Sequence, residues 1–102
     1  MAIDRNLFIT KFVDEVNENL HNIDSGVIKL KKDPENEDVL HSVLRAFHTL
    51  KGSSKMLKFN TIEKISHGME NVFKGIKENR YAISKDIIKL VFLSTDAIQI
   101  CL

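Results

Sequence analysis

Apolar residues recur every three or four positions along almost the whole chain, and a single proline interrupts them. That spacing lines one face of an α-helix, and no stretch alternates apolar and polar residues long enough to demand a strand. Phe8, Phe12, Val16, Leu20, Ile23, Val27 and Leu30 form one such stripe, which predicts a first helix from about Asp4 to Lys32. Asp33-Pro34-Glu35-Asn36 ends it, because proline removes a donor and restricts the residue before it. A second helix is expected from about Glu37 to Lys58, burying Leu40, Val43, Leu44, Phe47, Leu50, Ser54 and Leu57. A third begins after Asn60, where Asn60 and Glu63 have the spacing of a capping box. Its apolar face is Ile62, Ile65, Met69, Val72, Phe73 and Ile76. Residues Asn79 to Ile83 read as a loop, and Ser84 as the N-cap of a fourth helix with Asp86 in its first turn. That helix turns Ile87, Val91, Ile98 and Leu102 inward. Four amphipathic helices on short connections predict an all-α fold, an antiparallel up-down four-helix bundle forming a single domain over residues 1–102.

Composition narrows the function classes. With 102 residues and 43% hydrophobic content, the chain can fill one modest core. A net charge of +1 lacks the clustered basic excess of a nucleic-acid binder. Cys101 is alone, so it forms neither an internal disulfide nor a cysteine zinc site, which fits a reducing compartment. Lys89, Ser94 and Asp96 break the longest apolar stretch, which excludes a membrane-spanning helix. Met-Ala-Ile-Asp-Arg lacks the layout of a signal peptide, so a cytoplasmic protein is expected. No Gly-rich phosphate loop is present, so the chain does not read as a self-contained nucleotide enzyme. The apolar pattern is still running at Leu102, and the expectation is an excised N-terminal domain with a fifth helix beyond that point.

The chemistry-bearing stretch is Ala46-Phe47-His48-Thr49-Leu50-Lys51-Gly52-Ser53-Ser54. His48, Lys51 and Gly52 sit at spacings of three and four, on one helix face beside the buried stripe. A neutral imidazole is a nucleophile near neutral pH, and one nitrogen can attack phosphorus while the other holds a proton. Lys51 places positive charge where an arriving phosphoryl group needs it. Gly52 costs roughly 1 kcal/mol against alanine in mid-helix. The absence of a side chain there lets another protein approach His48. Counting across the hairpin, His48 and Glu70 both lie roughly 16 Å from the turn at about 1.5 Å per residue. His67 is level with Lys51 by the same count. The spacing therefore predicts a cluster of His48, Lys51, His67 and Glu70, in which Glu70 fixes the tautomer of His48. Lys55 and Lys58 continue the stripe and suit docking of an acidic pocket, with effects on encounter rate that fall with salt.

His48-Thr49-Leu50-Lys51-Gly52-Ser53 resembles the phosphoacceptor motif of histidine phosphotransfer domains. The longer run from Arg45 to Phe73, with Phe59, Ile65-Ser66-His67-Gly68-Met69-Glu70 and Val72-Phe73, looks like the N-terminal domain of chemotaxis-type histidine kinases, the CheA family. The resemblance implies that His48 receives phosphate from ATP and passes it to an aspartate on a response regulator receiver domain. It implies that Lys51, His67 and Glu70 surround the reactive ring. No cofactor is expected on this domain, because ATP and Mg belong to the separate ATP-binding domain of the kinase. The family commonly has small residues, often glycine, where this chain has Lys55 and Lys58. A stand-alone phosphorelay carrier would have the same chemistry. The alternatives of another class are a plain helical interaction module, which leaves Gly52 unexplained, and a zinc site of His48, His67 and Glu70, which the charge of Lys51 opposes. His21 and His41 read as surface residues, and Gly68 and Gly75 as positions of close helix packing.

Overall fold

The computed structural model describes residues 5–102 and contains four helices in chain order. They are α1 (Arg5–Lys32), α2 (Glu37–Met56), α3 (Asn60–Lys77) and α4 (Lys85–Cys101). The expected start of α1 at Asp4 lies outside the described residues. No strand occurs among them. The helices pack in a ring, each against its neighbours in sequence and α4 against α1, in a bundle 49 Å long. Short connections make successive helices antiparallel, the geometry that lets each bury one stripe.

Several of the boundaries have a local cause. Asn36 caps α2 by accepting from the Val39 amide at 3.1 Å, and Glu37 and Asp38 sit in its first turn. Ser84 caps α4 in the same way, accepting from the Ile87 amide at 3.2 Å. Both α2 and α3 end in paired reverse hydrogen bonds of the Schellman type. At α2, Phe59 donates to the Ser54 carbonyl at 2.8 Å and Lys58 to that of Lys55 at 3.2 Å. At α3, Arg80 donates to Gly75 and Asn79 to Ile76. The residue between must then be left-handed, and these are Lys58 (φ 64°) and Asn79 (φ 61°).

This turn corrects two expectations. The second helix stops at Met56, so Lys58 stands in the turn and does not continue the stripe of His48 and Lys51. The capping box also fails, because Phe59 is the N-cap of α3 and Asn60 is already helical. Glu63 donates its amide to the Phe59 carbonyl, and no side chain caps the helix. The cause is Phe59, whose ring stacks on Phe12 at 4.8 Å and draws the turn onto α1. Phe8, one turn further out on α1, has passed the end of the hairpin and is exposed, not buried. Leu102 follows the last turn of α4 and is likewise exposed.

The core runs through Val16, Ile23, Leu30, Val43, Phe47, Leu50, Ile62, Phe73, Val91 and Ile98, all shielded from water. Phe47 and Phe73 meet across α2 and α3 with centroids 5.7 Å apart. Burying such rings contributes about 1.5–3 kcal/mol each. The position of Gly26 in α1 admits α2 closely, since a Cβ there would meet Val43 at 2.6 Å.

Candidate functional site

The pairing of Phe47 with Phe73 sets the register of what lies beside it. His48 follows Phe47 on α2, and Glu70 precedes Phe73 by nearly a turn on α3. Nδ1 of His48 hydrogen-bonds to Oε2 of Glu70. Nζ of Lys51 donates to the other oxygen, Oε1, at 2.7 Å. One carboxylate thus joins two residues of α2 to α3. The exposures are graded: the side chains of His48, Lys51 and Glu70 are 66%, 25% and 2% exposed. The nucleophile candidate faces solvent and the group that orients it is buried.

Burial is the largest single influence on Glu70 and acts to raise its pKa. The hydrogen bonds from Lys51 and His48, with the charges of Lys51 and Lys74, together outweigh it, and the net direction is down. Glu70 is therefore a carboxylate at neutral pH and can only accept hydrogen bonds. Its partner nitrogen on His48 is then the donor, and in the neutral imidazole that tautomer puts the lone pair on Nε2.

The remaining residues named from sequence are placed as follows. Gly52 is exposed, and a Cβ there would meet nothing within 4 Å, so the surface beside His48 is open. Lys55 is exposed on α2, two turns from His48, while Lys58 projects from the turn. His67 is not brought into the hydrogen-bonded cluster: it is exposed and makes no side-chain hydrogen bond or ion pair among the described residues. His67 lies on α3 one turn before Glu70, and its side chain is exposed where that of Glu70 is buried. No group of three His, Cys, Asp or Glu side chains able to hold a metal occurs among the described residues. His21 and His41 lie on the surface. Neither glycine serves helix packing: Gly75 admits the Tyr81 ring from the α3–α4 connection, and Gly68 is open.

Ser54 lies on the buried side of α2 as its spacing predicts, whereas the roles of Ser66 and of the Asp24–Thr95 pair have no sequence signal. Ser54 is buried and donates to the carbonyls of Leu50 and Lys51, so it serves the helix backbone beneath the site. Ser66, one turn before Glu70, is buried with its hydroxyl unpaired. On the other side of the bundle, Thr95 of α4 donates to Asp24 of α1 at 3.0 Å. Burial raises the Asp24 pKa, with Asp96 adding to the effect, and the Thr95 hydrogen bond and nearby His21 offset it only in part. No periodicity marks such pairs, because each member looks like an ordinary polar residue at the edge of a stripe.

Comparison with known proteins agrees with this geometry. Residues 8–100 match the Hpt domain family. The chain is 34% identical over 85 residues to the sensor histidine kinase CheAY of Helicobacter pylori, covering 83% of this chain and 10% of that protein. It is 30% identical over 88 residues to the chemotaxis protein CheA of Listeria monocytogenes, covering 86% of this chain and 14% of that protein. Among solved structures, the CheA phosphotransferase domain from Thermotoga maritima superposes with a TM-score of 0.90 at 29% identity, covering 94% of this chain and 91% of that one. The chain thus spans a small fraction of the curated relatives and nearly all of an isolated domain. No described helix is long and apolar enough to cross a membrane. The helical bundle, the motif around His48 and the match along nearly its whole length together place the chain in the Hpt domain family.

Proposed function

We propose that His48 is a phosphoryl carrier in chemotaxis-type two-component signalling. The observation that carries this reading is the exposed imidazole whose Nδ1 is held by a buried carboxylate, leaving Nε2 free to react. In the first step the Nε2 lone pair attacks the γ-phosphorus of ATP held, with Mg, on a separate kinase domain. The P–N bond forms, the bond to the leaving ADP oxygen breaks, and the ring gains positive charge. Glu70 balances that charge through Nδ1–H, and Lys51 faces the incoming phosphoryl oxygens while anchored to the same carboxylate. In the second step an aspartate of a response regulator receiver domain attacks phosphorus, the P–N bond breaks, and the ring returns to its neutral form.

The open surface at Gly52 suits the approach of both partners, and Lys55 and Lys58 favour an acidic receiver pocket. His67 supports the site from outside the hydrogen-bonded cluster. Relatives named as chemotaxis proteins and a sensor histidine kinase support the assignment to a kinase of that type. The test is incubation with a cognate kinase domain and ATP, followed by mapping of acid-labile phosphate. Label on His48 is expected, and label that persists in His48→Gln overturns the assignment.

A further inference from the structure

The face of the bundle away from His48 carries a second feature. Between α1 and α4 runs a groove lined by Ile88, Phe92 and Leu93, with Lys31, Lys85 and Lys89 along its rim and Asp96 at one end. Ile88 and Phe92 are half-buried and Leu93 is 58% exposed, so its floor is apolar and open to water. None of the three lysines has an ion-pair partner among the described residues. Lys31 lies in the last turn of α1, where a cation complements that helix's own dipole. Lys85 has no such reason: it is the first residue of α4, at the positive end of its helix. A cation placed against the local preference, beside an uncovered apolar floor, calls for an external anion.

We propose that this groove docks an acidic amphipathic helix of a partner protein. Ile88 and Phe92, and likewise Lys85 and Lys89, are spaced four residues apart, one turn along α4. A partner helix with an apolar ridge and a flanking row of Glu or Asp at the same spacing would fill the floor and pair with the rim. The lined stretch of α4 from Lys85 to Asp96 is about 16 Å long, three helical turns. Asp96 gives the complex direction, since the partner residue beside it must be neutral or basic. The groove belongs to α1 and α4 while the His48 cluster belongs to α2 and α3, so a partner held here leaves His48 free. Such tethering would raise the effective concentration of the phosphoryl donor or acceptor.

The test titrates isotope-labelled full chain with a synthetic helical peptide bearing a Leu ridge flanked by Glu, and with a control peptide bearing Lys in place of Glu. Backbone amide shifts are expected around Lys31 and over Lys85 to Asp96, with the Glu peptide bound about tenfold or more tightly than the control. The double variant Lys85→Glu, Lys89→Glu is expected to reverse that preference while His48 is still phosphorylated at the unaltered rate. Equal binding of the two peptides, or shifts confined to other faces, overturns the proposal. Dilution-dependent shifts at the groove without peptide overturn it in favour of a second copy. Protection of the groove in a chain extended past Leu102 overturns it in favour of the chain's own continuation. All these readouts are independent of phosphate on His48.

Discussion

Two carboxylates sit at helix seams on opposite sides of this bundle, and their acidities move in opposite directions. Glu70, between α2 and α3, has its pKa lowered; Asp24, between α1 and α4, has its pKa raised. Desolvation leads in both cases and pushes the same way. The difference lies in the donors. Glu70 meets an ammonium and an imidazole, with a further lysine nearby, whereas Asp24 meets a neutral hydroxyl and lies near Asp96. Burial alone makes a carboxyl harder to ionise; cationic partners turn the same burial into a stable anion. The seam with the cationic partners is the one that carries the candidate chemistry.

Breaking the α2–α3 seam itself should have the largest effect. Phe73→Ala is expected to cost about 3–5 kcal/mol in chemical unfolding, because it opens a cavity opposite Phe47. A loss below about 1 kcal/mol would show that the Phe47–Phe73 pair does not hold the register. Glu70→Gln retains the shape but removes the charge. It is expected to slow phosphoryl uptake on His48 about 10–100-fold in a rapid-quench assay, by analogy with the loss of a carboxylate that orients a metal-bound histidine. An unchanged rate would remove Glu70 from the mechanism.

The acid response separates the two seams. Glu70 has a folded pKa below its unfolded value of 4.5, so its contribution is fully present above that pH and disappears as pH falls through the folded value. Thermal melts on acidification should therefore show a smaller loss for Glu70→Gln than for the parent chain. Asp24 has the opposite sign: its folded pKa lies above 3.8, so stability falls as pH rises from there through the folded value. Asp24→Asn keeps an acceptor for Thr95 and is expected to leave Tm equal or higher at neutral pH. A clear drop would show that the Asp24 charge stabilises the α1–α4 seam. The smallest change concerns the turn that links α2 to α3. Lys58→Gly relieves a left-handed residue and should stabilise by about 0.5–1 kcal/mol, read as a rise in Tm of a few degrees.

Much of the architecture was legible because helical periodicity is a local property. The stripes of Val16 to Leu30 and of Ile62 to Ile76 appear where the spacing puts them, and Ser84 caps α4. The departures lie at helix ends, where local rules compete. Asn60 and Glu63 look like a cap, yet the packing of Phe59 on Phe12 moves the helix start by one residue. Lys58 has helical spacing from Lys51 and Lys55, yet the reverse hydrogen bonds of the turn claim it. Phe8 has the right period, but α1 outruns its neighbours there.

The site divides in the same way. Residue counting along two antiparallel helices determines which side chains share a level, because the rise per residue is constant. That is how His48 and Glu70 could be paired from sequence. Rotation about each helix axis is decided by how the stripes interlock, so only the tertiary structure could separate Glu70, buried and doubly bonded, from the exposed His67. The Asp24–Thr95 bond and the groove beside it joins helices at opposite ends of the described chain. No local pattern encodes that meeting, which exists only because four stripes close on one core.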